Sequence, residues 1–314
     1  MKKENIALGY LSLVNRLLER GAKVNATSKD GTHALYLAAQ NGHLDIVKIL
    51  SIKDPNVADL RGFLGRTPLT AAAQNGHLSI VTYLTSLTLT NIDSQDNDGN
   101  TPLTWAAYNN HTKIVEHLLE KGANASIKDN DGNTALYWVT QLGNINIVKL
   151  LVEKYPNVTN LTGFKRRTPF ITAAQNGYLN IVKYLSSIPQ NKIDSQDNDG
   201  HNAFMLAAAN NHLQVVQFLV QKGVDQTLTN TDSQTPLIMA AMRGYLNVVT
   251  YLTSLPQVNI DAQDHLGVTA LGWASFNNQP EVVEHLLKEG ADVSIKDSFG
   301  KTAFDENCKS PIEF

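Results

Sequence analysis

Apolar and polar positions along this chain follow one order that returns every 33 or 34 residues. In residues 65–90, Gly65-Arg66 leads into Thr67-Pro68, and Leu69, Ala72 and Ala73 follow at spacings of three and four. A hydroxyl residue before proline starts a helix well: the hydroxyl accepts an unpaired amide, and the first helical position needs no N–H of its own. The spacing predicts a short helix with a narrow apolar face whose alanines let a neighbour come close. Asn75-Gly76 predicts its stop, since glycine tolerates the left-handed conformation at a helix C-terminus. His77–Leu84 predicts a second amphipathic helix with Leu78, Val81 and Leu84 inward, and Asp96-Asn97-Asp98-Gly99 predicts a tight turn. The unit is helix, turn, helix, extended turn.

The position of Thr67 is filled again by His33, Thr101, Thr134, Thr168, Asn202, Thr235, Thr269 and Thr302. A period of this length indicates an all-α solenoid, a fold that presents surface more often than it catalyses. A longer period overlies it: His33 to Thr134, Thr67 to Thr168 and Thr101 to Asn202 are each 101 residues apart. Duplication of a multi-repeat segment explains that spacing. Some repeats are lengthened, as at Lys53-Asp54-Pro55-Asn56-Val57 and Lys154-Tyr155-Pro156-Asn157-Val158.

Composition narrows the function. Apolar content of 42% suffices for a core, and a net charge of −3 gives no basic footprint for nucleic acid. The one cysteine, Cys308, excludes an intrachain disulfide framework and fits a reducing compartment. No apolar run approaches the ~18 residues of a membrane span. These features lead us to expect a monomer in the cytoplasm, without direct membrane insertion.

The repeat resembles the ankyrin repeat, whose pattern is clearest from Asp264 to Asp292 through Gly267, Thr269, Leu271, Ala274, Val282-Val283, Leu286-Leu287 and Gly290-Ala291-Asp292. The resemblance implies an ankyrin-repeat solenoid over 1–314 as a single array. It places a partial N-terminal capping repeat at 1–28, eight full repeats at 29–296 and a partial C-terminal capping repeat at 297–314. The histidine that the family usually carries after T-P-L, a link between repeats, is replaced by Tyr36, Thr70, Thr104, Tyr137, Ile171, Met205, Ile238 and Gly272. A less uniformly rigid array is therefore expected.

Catalytic and metal signatures are weak. With Gly99 as the sixth position of a calcium loop, the twelfth would be Trp105 where a bidentate glutamate is required. His43, His77 and His212 fall at inter-helix turns, where a capping role is expected, and no pair has zinc-site spacing. Cys308 has no base beside it, and no phosphate-binding glycine loop occurs. No catalytic residue, metal or cofactor is expected.

Through the resemblance, a partner protein would meet the concave face and the fingertip turns. On the inner helices that face includes Tyr36, Gln40, Gln74, Tyr108, Tyr137, Gln141, Gln175, Met242 and Phe276; aromatics and Met are enriched at interfaces. At the fingertips it includes Phe63 and Phe164 with Lys165, Arg166 and Arg167. Trp105, Trp138 and Trp273 are expected in the core. The expected function is a non-catalytic protein–protein interaction scaffold. The alternative is the recruiting module of a larger enzyme or of a secreted effector, acting in that case in a host cytosol.

Overall fold

Thr-Pro and Asn-Gly punctuation builds the helices of this computed structural model, which describes residues 10–305. Those residues fall into two compact units, 10–164 and 165–305. In the first, α1 (Leu11–Glu19) precedes four antiparallel pairs: α2 (Ala34–Gln40) with α3 (Leu44–Lys53), α4 (Pro68–Gln74) with α5 (Leu78–Leu84), α6 (Pro102–Tyr108) with α7 (Thr112–Glu120), and α8 (Ala135–Gln141) with α9 (Ile145–Lys154). In the second, α10 (Pro169–Gln175) pairs with α11 (Leu179–Ser186), α12 (Ala203–Ala209) with α13 (Leu213–Gln221), α14 (Pro236–Met242) with α15 (Leu246–Thr253), and α16 (Ala270–Phe276) with α17 (Pro280–Lys288). Among the described residues the only β pairing is one isolated bridge, Thr27 to His33.

Each inner helix starts on a cap. Thr67, Thr101, Thr134, Thr168, Asn202, Thr235 and Thr269 all accept the amide three residues on. Within each unit the inner helices pack on one another in sequence, and the outer helices do the same behind them. An inner helix therefore has neighbours on three sides, and Pro68 to Ala73 are all buried rather than one narrow face. In α5, Ile80 joins Val81 and Leu84 in the core, whereas Leu78 is only half-buried. Burying such a side chain stabilises by about 1.5–3 kcal/mol. The lengthened repeats close with 3₁₀ turns at Pro55–Asp59 and Pro156–Asn160, which bury Val57 and Val158.

The turn histidines do not cap. His77 Nε2 instead donates to Gln40 O of the preceding repeat at 3.0 Å, His111 Nε2 to Gln74 O and His212 Nε2 to Gln175 O at the same distance. These rings reach so close to the preceding turn that a Cβ on Gly76 would lie 2.7 Å from His111 Cε1. The inter-repeat link missing after T-P-L is therefore supplied from another position.

His33 replaces the hydroxyl cap of the other repeats. Its Nδ1 accepts from Tyr36 N (3.4 Å) while its Nε2 donates to Leu60 O (2.9 Å), which requires the neutral ring. Burial pushes its pKa below the usual 6.5, opposed by the bond to Leu60. His117 and His201 shift the same way, burial again being the leading cause. The unfolded chain then binds more protons than the folded one as pH falls past 6.5, so stability falls too. The melting temperature should drop between about pH 7.5 and about pH 5.5, where unperturbed histidine titrates. His33→Thr should flatten part of that slope in thermal melts, and an unchanged slope would contradict this role.

Candidate functional site

Where the inner helices end beneath the hairpin tips, the first unit assembles a polar and aromatic strip. Asp96 opens its tip: Oδ1 accepts the amides of Asp98 (3.1 Å) and Asn100 (2.9 Å), which fixes the turn. Its Oδ2 accepts Trp105 Nε1 at 2.8 Å and Arg66 Nε at 3.2 Å. Arg66 also donates through Nη1 to Gln74 Oε1 (3.1 Å), and its guanidinium carbon lies 4.3 Å over the Trp105 ring. The Asp96 carboxylate is fully buried, and Arg66 is 11% exposed.

The next repeat repeats the carboxylate and the indole without the cation. Asp129 Oδ1 accepts the amides of Asp131 and Asn133, and Oδ2 accepts Trp138 Nε1 at 2.8 Å. The position of Arg66 holds Asn100, and that of Gln74 holds Tyr108. The Tyr108 ring stands edge-on to Trp105 at 6.1 Å and to Trp138 at 5.7 Å, yet it stays 43% exposed. In the second unit, Asp264 Oδ2 accepts Trp273 Nε1 at 2.7 Å, and Phe276, 39% exposed, meets Trp273 edge-on at 5.8 Å. The tryptophans therefore belong partly to this strip: Trp105 and Trp138 are half-buried and Trp273 is buried. The recurring nine-residue spacing from Asp96, Asp129 and Asp264 to a tryptophan was the sequence signal for these anchored rings.

Other predicted positions divide by burial. Tyr36 and Tyr137 are buried, 2% and 7% exposed, so they cannot offer a partner their rings. Each lies against a tip glycine of the following hairpin, where a Cβ on Gly62 or Gly163 would come within 2.6 or 2.5 Å of the ring. Gln40 is half-buried, Gln74 and Gln175 spend their side-chain oxygens on Arg66 and Arg167, and Gln141 is exposed at the end of α8. Met242 is half-buried. Phe63 and Phe164 stay about half-exposed at hairpin tips of the first unit.

Two of the three cations at the start of the second unit are paired within the chain. Lys165 Nζ meets Asp199 Oδ2 at 2.7 Å on the surface, and the half-buried Arg167 donates through Nε to Asp197 Oδ2 (2.8 Å) and through Nη1 to Gln175 Oε1 (2.9 Å). Arg166 is the member outside these pairs. It and Lys165 both have positive φ, 57° and 54°. Bulky residues are uncommon there, and such backbone costs on the order of 1–3 kcal/mol.

One group at these turns could bring ligand atoms together. Among the described residues, Asp197, Asp199 and His201 are close enough to share an ion. Asp197, however, gives Oδ1 to the amides of Asp199 and His201 and Oδ2 to Arg167, while Asp199 pairs with Lys165. Cys308 lies outside the described residues. Among those described, no helix is long and apolar enough to cross a membrane.

Comparison with known proteins agrees with the repeat geometry. The family model for ankyrin repeats (3 copies) matches residues 5–88, 86–162, 156–230 and 223–297. The chain is 42% identical over 79 residues to ankyrin repeat and SAM domain-containing protein 6 of Mus musculus, covering 25% of this chain and 9% of that protein. Identity to the ankyrin repeat protein OPG189 of Variola virus is 33% over 86 residues, 27% of this chain and 15% of that one. Palmitoyltransferase akr1 of Schizosaccharomyces pombe is 41% identical over 58 residues, 18% of this chain and 9% of the enzyme. The chain thus spans a small part of the length of each relative.

Proposed function

The chain belongs to the ankyrin repeat family, a protein-interaction module, and from that premise we propose that it binds a partner protein without catalysis of its own. Binding uses the exposed ends of the inner helices and the adjacent hairpin tips of each unit. The observation that carries this reading is Tyr108, a large ring fixed by two tryptophans yet left 43% exposed. Rigid, half-open aromatics are the side chains that most often dominate binding energy.

A photo-crosslinking residue at Gln141, at the end of α8, tests the reading against one at Glu116 on the outward side of α7. We expect a partner adduct from position 141 and none from 116. Adducts from 116 alone would move the interface to the outer helices.

A second reading is favoured by the similarity to palmitoyltransferase akr1 and by the small share of each relative that is matched. In it, the chain is the recruiting part of a larger enzyme or effector, binding through the same strip. It expects the captured partner to be modified by the activity of a linked domain.

A further inference from the structure

The fold contains its own template for what the strip receives. Where the residue before the helix cap is arginine, the residue eight further on is glutamine and the next hairpin supplies an aspartate: Arg66, Gln74 and Asp96, then Arg167, Gln175 and Asp197. In both sets Nε binds the aspartate and Nη1 the glutamine. Where that first residue is Asn100, Gln234 or Val268, the second is Tyr108, Met242 or Phe276. The aspartate in the following hairpin persists as Asp129, Asp264 and Asp297. Three of the six repeats without the arginine thus carry a large side chain there, whereas Thr32, Asn133 and His201 are followed by Gln40, Gln141 and Ala209.

We propose that the niche formed by Asn100, Tyr108, Asp129 and Trp138 receives an arginine side chain of the partner protein. This rests on reading the inner-helix ends as the protein-binding face. The Arg66 set shows what the surroundings accept: a cation against an indole face and a carboxylate already oriented by two turn amides. At Asp129 the same Oδ2 takes Trp138 Nε1 and only a 3.4 Å contact from Asn133 Nδ2. Asp98 and Asp131, exposed on adjacent tips joined by Asn130 N to Asp98 O (3.0 Å), add negative charge beside the niche. A planar guanidinium can bind the carboxylate edge-on while stacking its face on a ring, an arrangement a compact, strongly hydrated lysine ammonium matches less well.

The chain has three tryptophans, so its indole N–H signals report each ring separately by NMR, with Trp138→Phe assigning the one of interest. Adding N-acetyl-arginine N-methylamide should shift the Trp138 signal saturably and leave Trp105, already covered by Arg66, in place. The lysine counterpart should bind several-fold more weakly. Asn100→Arg with Tyr108→Gln copies the Arg66 and Gln74 arrangement and should weaken the arginine probe by about tenfold or more. Circular dichroism checks that this variant is folded. Equal shifts at Trp105 and Trp138, equal response to the lysine probe, or undiminished binding by the double variant would overturn the assignment. A partner lost on Tyr108→Glu while the arginine probe leaves Trp138 unmoved would sink this inference alone and leave the protein-binding reading standing.

Discussion

Asp96→Ala should destabilise the first unit by about 3–5 kcal/mol, the range for removing one partner of a buried ion pair. One carboxylate closes the hairpin through two amides, holds the Trp105 indole and neutralises Arg66. Alanine leaves that largely covered guanidinium, 11% exposed, without its counter-charge. Asp96→Asn retains an oxygen for the turn amides and should cost clearly less. Urea unfolding followed by circular dichroism separates the two. Equal effects of Ala and Asn would mean that the lost charge carries the whole cost and the turn amides add nothing, and a loss below about 1 kcal/mol would place Asp96 among ordinary surface residues.

Gly177→Val should cost the second unit a similar amount, about 3–6 kcal/mol, from three sources. Gly177 has φ +73°, and the left-handed region costs an L-residue about 1–2 kcal/mol. Its Cβ would lie 2.4 Å from His212 Nδ1, so the ring must move and overpacking adds about 1–3 kcal/mol. The moved ring also loses its 3.0 Å bond to Gln175 O, about 1 kcal/mol. Introduced into a His212→Ala background, the same valine should cost only the backbone share. A full cost in that background would show that the histidine contact does not matter.

The helices were legible because their signals are local. Thr-Pro and Asn-Gly act within one turn of backbone, and Pro68 and Gln74 bound α4 where the spacing put them. What the pattern hid was contact between repeats. Tyr36 and Tyr137 looked like surface aromatics because nothing within their own helices shows that Gly62 and Gly163, in the following hairpins, will lie against them. The basic run Lys165–Arg167 looked open because its partners, Asp199 and Asp197, stand 34 and 30 residues away. The same separation concealed that His77 and His212 tie repeats together rather than cap helices. The arginine–glutamine–aspartate set was written in the sequence at fixed offsets, but it becomes chemistry only once the hairpins are adjacent.

The account turns on Tyr108 being exposed for binding rather than for stability. The direct measurement is the affinity of the crosslinked partner, by calorimetry, for the chain and for Tyr108→Glu, with a thermal melt of each. The account predicts an affinity loss of at least about thirtyfold, as for an interface anchor, with melting shifted by no more than a few degrees. Unchanged affinity, or a loss matched by unfolding of the variant, would contradict it.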